Sequence, residues 1–434
     1  MLIQTKSRLF AGRQLLALFI LIFPAGILNG QERMNKELAL KEAIKIGLNN
    51  NPAIKSAQEN ISAAKGRFWS GISLPAPEVG VSYEYTPINS SLKNFGERTF
   101  EVSQFFEFPS NYFLKGSRFG KEEEIAYYRL KQTEVIVAAQ IKSAYFNVLA
   151  KLGLLGIAEE NLNIAEDFAK KAGIRYNVGE GTNLEQLTAK VQFTEASNNL
   201  EIAKNELKTA FAELNYSIGY GKRTDEIFTL TDSLSYSTAD EFTFEELDNL
   251  SLTANQQIKI SELNVSTSSL DKSLAWSSLL PNFNLSYFKQ TRDGDNGYYG
   301  ASFGMSVPLW FLFENRGQIQ EASANVNIAE SELQLVKNEV YLRLRSAFND
   351  YENDLKQVKL YLSDILPQAE EVYRSASASY DAGEITYLEY LQARQTLINA
   401  KSNYINVLFS YNLSIYTLEE TVGQSLTDNN GDNK

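Results

Sequence analysis

Tyr176-Asn-Val-Gly179-Glu180-Gly-Thr182-Asn-Leu184-Glu185-Gln-Leu187 recurs 204 residues later as Tyr380-Asp-Ala-Gly383-Glu384-Ile-Thr386-Tyr-Leu388-Glu389-Tyr-Leu391. Seven of the twelve positions are identical. The same offset aligns Asn51-Pro-Ala-Ile54-Lys55 with Asn255-Gln-Gln-Ile258-Lys259, and Val81-Ser-Tyr83 with Leu285-Ser-Tyr287. Ser143-Ala144-Tyr145 matches Ser346-Ala347-Phe348 one residue out of step. Three-residue matches are cheap, but a shared offset over two whole halves marks an internal duplication.

Outward from each turn the two halves carry the same signals. A helical segment (about Lys36–Ser70 and Thr243–Ser278) ends near Pro75 or Pro281. Two alternating segments follow, then some sixty residues of helical pattern up to the turn, then a last helix to about Ile218 or Glu420. A sixty-residue helix rises ~90 Å, far beyond the ~11–12 residues of a mean globular helix. Such lengths call for coiled-coil-like packing, which the Ala/Ser run Ala369, Ser375, Ala376, Ser377, Ala378, Ser379 suits; Pro367 and the Gly153/Gly156 pair mark expected bends.

The alternating segments carry a membrane signal. In Glu78–Ile88, Val79, Val81, Tyr83 and Tyr85 alternate with small or polar residues; in Thr99–Phe108, Phe100, Val102, Phe106 and Phe108 share a face. The second half repeats this with Phe283, Leu285 and Tyr287, then Tyr299, Ala301, Phe303, Met305 and Val307. Each segment is about ten residues, the length of a tilted transmembrane strand. Two hairpins of a soluble sheet would alternate in the same way. Four strands cannot close a barrel, however, and an open edge cannot sit in lipid with its N–H and C=O groups unpaired. A membrane barrel built from this chain therefore needs several copies.

Composition removes other classes. The 434 residues include no Cys and no His, with 41 Lys+Arg against 53 Asp+Glu and a net charge of -12. A Ser-His-Asp triad, a thiolate nucleophile, a disulfide framework, a His-ligated metal and a lipid-modified Cys are all excluded. The acidic balance argues against nucleic acid as a partner. The first thirty residues read as a signal peptide, with Lys6, Arg8 and Arg13 before the apolar run Leu15–Phe23. The expected organisation is a signal peptide (1–30), a first repeat (31–220, hairpin about 78–108), a linker (221–240), a second repeat (241–422, hairpin about 282–307) and a polar tail (423–434).

Two copies of helix, hairpin, long helix, Tyr-x-x-Gly-Glu-x-Thr-x-Leu-Glu-x-Leu turn and final helix resemble the TolC outer-membrane factor family, the outer membrane efflux proteins. Leu40-Lys-Glu-Ala-Ile44 through Asn51-Pro52 is similar to that family's first helix, and the likeness runs from about Leu38 to Glu420. It implies an α+β membrane protein: a homotrimer whose twelve strands form one outer-membrane β-barrel, continued as a periplasmic α-helical barrel with a mixed equatorial region near Gly219–Glu241. It implies a passive exit duct without cofactors, docked to a periplasmic adaptor (membrane fusion protein) and an inner-membrane pump of the RND type. Asn315-Arg316-Gly317-Gln318-Ile319 and Leu366-Pro367-Gln-Ala-Glu-Glu are most similar to the cation-efflux (CzcC-type) branch. The same fold also serves polypeptide secretion, and a soluble periplasmic coiled-coil scaffold is the rival outside the family.

The resemblance places both turns at the periplasmic tip, where Tyr176, Gly179, Glu180, Tyr380, Gly383 and Glu384 are candidates for adaptor docking. Gly179 and Gly383 have two readings, a reversal at positive φ or a bare backbone knob for close approach. The two tyrosines suit helix-end packing as well as contact. Leu184/Leu187 and Leu388/Leu391 have the spacing of core positions. Glu389 matches an acidic position that constricts the tunnel in family members. Threefold symmetry would gather three copies and raise their pKa; the family's second acidic position falls at Gln392. The plain alternative is a solvated glutamate on a helix face. Glu185, its repeat partner, belongs to the outer pair of helices. Gly116-Ser-Arg-Phe-Gly120-Lys121 lacks the spacing of a phosphate loop, and Asp293-Gly-Asp295-Asn296-Gly297 reads as a hairpin turn without the Glu a calcium loop needs. No constellation supports catalysis.

Overall fold

The computed structural model describes residues 36–220, 227–236, 241–309 and 314–426. The expected signal peptide, parts of the linker and most of the tail lie outside the described residues.

Each repeat begins with two helices rather than one. In the first, β1 (Lys36–Leu38) leads to α1 (Leu40–Asn50) and α2 (Pro52–Ile72); in the second, α5 (Phe244–Ala254) leads to α6 (Gln256–Ser277). The break is an asparagine each time. Asn51 is extended (ψ 127) and accepts from the Ala53 amide at 2.8 Å, ahead of Pro52 at the first helical position. Asn255 accepts from the Gln257 and Ile258 amides at 2.9 and 3.1 Å. Each side-chain amide then reaches the far end of its own repeat: Asn51 donates to the Ser217 carbonyl at 3.3 Å, and Asn255 to the Thr421 carbonyl at 2.7 Å. Gly219 (φ +82) and Gly423 (φ +95) complete these knots. A Cβ there would stand 2.9 Å from the Asn50 backbone or the Ala254 carbonyl, so glycine is required on both conformational and steric grounds.

The hairpins form one antiparallel sheet in the order β2 (Glu78–Glu84), β3 (Glu97–Phe106), β5 (Asn282–Arg292), β6 (Asp295–Ser306). Val79, Val102, Tyr287 and Ala301 stand in one cross-strand row, so the apolar sets of all four strands share a face. That face is bare: Val79, Val81, Phe100, Leu285, Tyr287, Phe303 and Met305 are all exposed. The first strand is shorter than its pattern, because Tyr85 takes φ 54 after Glu84. The second hairpin is tighter than its polar loop implied, turning at Asp293-Gly294 with Arg292 paired to Asp295. β3 stops at Phe106, and Pro109 opens the next helix at its first position.

Each hairpin is followed by a long helix. α3 (Pro109–Asn177) is 69 residues long, and α4 (Asn183–Ser217) returns beside it. α3 runs unbroken through Gly153 and Gly156, and Gly153 leaves room for Ile405. α3 is also apolar enough, by length and composition, to cross a membrane, yet it packs on α1, α2, α4 and α6. In the second repeat α7 (Glu314–Leu360), a π-helical turn (Tyr361–Ile365) and α8 (Leu366–Asp381) stack end to end, and α9 (Tyr387–Val422) returns. Pro367 offers no N–H to the preceding turn, and the helix widens there instead of breaking.

The main core lies where the repeats meet, around Leu38, Ile141, Tyr145, Leu214, Leu344, Tyr351, Tyr411 and Leu418. β1 pairs in parallel with β4 (Phe228–Leu230). Asp232 secures this junction, accepting from the Leu40 amide at 2.9 Å and the Tyr145 hydroxyl at 2.7 Å. Burial first, and the Asp232 carboxylate second, hold the Tyr145 phenol well above its usual range. Lys142 and Glu419 form a buried ion pair at 2.6 Å beside it.

Candidate functional site

The two repeated turns have the same backbone. In the first, the Gly179 amide donates to the Tyr176 carbonyl at 3.1 Å and the Glu180 amide to the Arg175 carbonyl at 2.9 Å. In the second, Gly383 donates to Tyr380 at 3.0 Å and Glu384 to Ser379 at 2.8 Å. This is the Schellman pattern, with glycine at C′ in the left-handed region (φ +82 and +75). Nothing lies within 4 Å of a Cβ built on either glycine, so it is the φ, not crowding, that selects the residue. Thr182 and Thr386 then cap the returning helices, accepting from the Glu185 and Glu389 amides. The glycine and threonine of the repeated motif are thereby accounted for by chain reversal.

The two glutamates diverge. Glu389 completes a capping box, its carboxylate accepting from the Thr386 amide at 2.7 Å and hydroxyl at 2.8 Å. The Thr386 backbone bond first, and its hydroxyl second, hold the Glu389 carboxyl below its ordinary range. Glu389 and Gln392 both line an open groove between α8 and α9, with Ser375, Ala376 and Ser379 on the opposite wall. Glu185 turns instead to the other repeat. Its carboxylate accepts from the Tyr380 hydroxyl at 2.9 Å, and Arg175 lies 3.1 Å from that hydroxyl and 3.6 Å from the carboxylate. One arginine, one glutamate and one tyrosine thus tie the first turn to the second.

Tyr380 also packs. Its ring stacks on Tyr390 at 5.1 Å, while Phe168 of α3 stacks on Tyr387 at 4.2 Å. Burial chiefly, then the Glu185 carboxylate, raises the Tyr380 phenol; burial pushes Tyr387 up to about 12. Tyr176, at the equivalent position, is exposed, as are Glu180 and Glu384. Arg175 and the aromatic cluster were not among the residues expected here. Tyr373 and Tyr380, seven apart on α8, and Tyr387 and Tyr390, three apart on α9, each share a helix face, and that spacing is the signal that could have found the latter. The leucines correct an expectation: Leu184, Leu187 and Leu388 are exposed, and with Ile174 and Val178 they give the tip an uncovered apolar surface. Their spacing is helical, but their face has no neighbour within the chain. Among the described residues there is no group of three or more Asp/Glu that could hold a metal ion.

The outer membrane efflux protein family model matches residues 43–220 and again residues 247–424. The two matches stand 204 residues apart, the offset of the turns. The chain is 21% identical over 394 residues to the cobalt-zinc-cadmium resistance protein CzcC of Cupriavidus metallidurans, covering 89% of this chain and 90% of the relative. It is 22% identical over 404 residues to the outer membrane protein TolC of Escherichia coli, covering 86% and 80%. The outer-membrane channel OprN shares the fold with a TM-score of 0.75 at 16% identity, over 89% of this chain and 90% of that one. With more than half its length matched, twice over and in step with its own internal repeat, this chain belongs to the outer membrane efflux protein family.

Proposed function

We propose that three copies of this chain assemble as an outer-membrane exit duct of a tripartite efflux system. The observation that carries this reading is the four-stranded sheet, apolar and bare on one face, open at both edges, and followed after each hairpin by a long helix, of 69 residues in the first repeat. Three copies supply twelve strands, close every edge and turn the apolar face to lipid. The helices, about 100 Å at 1.5 Å per residue, continue the barrel as a periplasmic tunnel. The chain is exported by its signal peptide and, lacking Cys, carries no thioether-linked lipid.

The tip turns meet a periplasmic adaptor through Tyr176, Gly179, Glu180, Gly383, Glu384 and the exposed leucines around them, and the adaptor links the duct to an RND-type pump. Glu389, with Gln392 beside it, lines the constriction as a ring of three. Similarity to a cobalt-zinc-cadmium resistance protein favours divalent cations as cargo. Such ions would pass hydrated, since the chain has no soft ligand relay. The exposed apolar sheet face disfavours a soluble scaffold.

The test is fractionation of the mature protein. A detergent-extracted trimer from the outer membrane, conducting in planar bilayers, is the expected result. A monomer or dimer released into the periplasm without detergent would sink the barrel.

A further inference from the structure

Among the described residues Arg394 of α9 is the only arginine that the chain buries, at 4% exposure, and no carboxylate forms an ion pair with it. A guanidinium cannot shed its charge, and burying a charge without a partner is costly. Its Nη2 donates to the side-chain oxygen of Asn161 on α3, while its Nη1 is buried with no acceptor in the protein. The pair belongs to the seam that holds the tip together. Phe168 of α3 stacks on Tyr387 of α9, and Asn161 and Arg394 stand seven residues back along the first helix and seven on along the second.

Both side chains line a cavity of about 10 Å³ walled by Ile157, Ile164 and Leu397, room for one solvent-sized particle. Glu160 is the only carboxylate on it, and both its oxygens are taken by Lys401 at 3.1 and 3.0 Å. Two cations against one carboxylate leave the cavity one positive charge in excess. Its open hydrogen-bonding groups also only donate. Because a guanidinium cannot accept, Asn161 turns its oxygen to Arg394, and its NH2 group has no acceptor among the described residues. The Tyr373 hydroxyl, the remaining polar group of the lining, is engaged by Tyr390. A water in this cavity would accept from Arg394 and Asn161 but find only Ile157, Ile164 and Leu397 for its own hydrogens. A small anion accepts from both donors and supplies the missing charge. A carboxylate of a second copy has no path to Arg394, which its own chain covers.

We infer that this cavity is a chloride site, in which one monoatomic anion is held between Arg394 Nη1 and the Asn161 amide. The ion ties α3 of the first repeat to α9 of the second, two helical turns from the aromatic cluster of the tip. Sulfate, phosphate and organic anions are excluded by volume. The site lies within a single chain, so it stands whether or not three copies form a duct.

Two measurements on the mature protein in detergent test this. Crystals grown in bromide without chloride, with data collected at the bromine absorption edge, should show one anomalous peak per chain within hydrogen-bond distance of Arg394 Nη1. The thermal midpoint in sodium chloride should exceed that in sodium gluconate at equal ionic strength by about 2–4 °C, and Arg394→Gln should abolish the difference. Absence of the peak would overturn the inference and leave a water or nothing in the cavity. A peak together with equal midpoints would mean an adventitious ion only and would overturn it as well. Should Arg394→Gln fail to fold, Arg394→Met with Asn161→Leu, which makes the seam apolar, takes its place. A chloride effect that survives in either variant would place the ion elsewhere and sink the assignment.

Discussion

Tyr380 joins two turns that lie 204 residues apart, through one hydroxyl shared between Glu185 and Arg175. Tyr380→Phe keeps the ring in its stack and removes that link, leaving a half-buried carboxylate one donor short. A loss of about 1–2 kcal/mol in the local stability of the tip is expected. Protease cleavage confined to the turns should rise, and so should single-channel conductance; unchanged values of both would mean the link does not restrain the tip. Glu389 makes a prediction in pH. Its folded pKa is depressed, so its contribution is complete above the unfolded value of about 4.3 and is lost as pH falls through the lower folded value. In dispersed monomers a labelled Glu389 carboxyl should therefore titrate below its ordinary range, and Thr386→Ala should return it toward that range. If three copies converge in the trimer, like-charge repulsion should drive the midpoint upward on assembly. A midpoint that stays low in the trimer would leave Glu389 as a capping residue and remove the gate ring.

At the scale of elements, the asparagine knots explain how helices of such length are anchored. Asn51 and Asn255 each cap one helix and hold the carbonyl end of another, 166 residues away in both repeats. Asn51→Ala and Asn255→Ala should each cost about 1 kcal/mol, with the double variant near the sum because the knots share no partner. Gly423→Ala should cost more than either, since its Cβ would press on backbone. Chemical denaturation of the trimer in detergent measures all four. The knots also show why each first helix breaks where the sequence suggested continuity. Asn-Pro announced a cap at position 51, whereas Asn255-Gln256 carries no such local mark and only its repeat partner reveals it.

For the whole molecule, the two faces of the sheet should tolerate charge very differently. Ala301→Lys puts a cation on the apolar face and should destabilise the barrel by about 2–4 kcal/mol near the bilayer centre. Ser302→Lys, one residue on, points to the opposite face and should cost far less. Urea unfolding from lipid vesicles distinguishes them, and equal costs would mean that neither face meets lipid. The duplication, the long helices, the strand faces and the reversing turns were all legible in the sequence. They depend on period, on glycine and threonine at fixed offsets, and on the repeat, and these are local or self-referential signals. What the chain determined by itself was therefore its element order and the chemistry of each face. Tertiary structure decided which distant groups meet: Glu185 with Tyr380, Lys142 with Glu419 across 277 residues, and Asp232 with Tyr145. It also decided that Leu184, Leu187 and Leu388 stay bare where helical spacing promised a core. Spacing fixes the face a side chain occupies on its own helix, but only the packing of helices against one another determines what, if anything, covers that face.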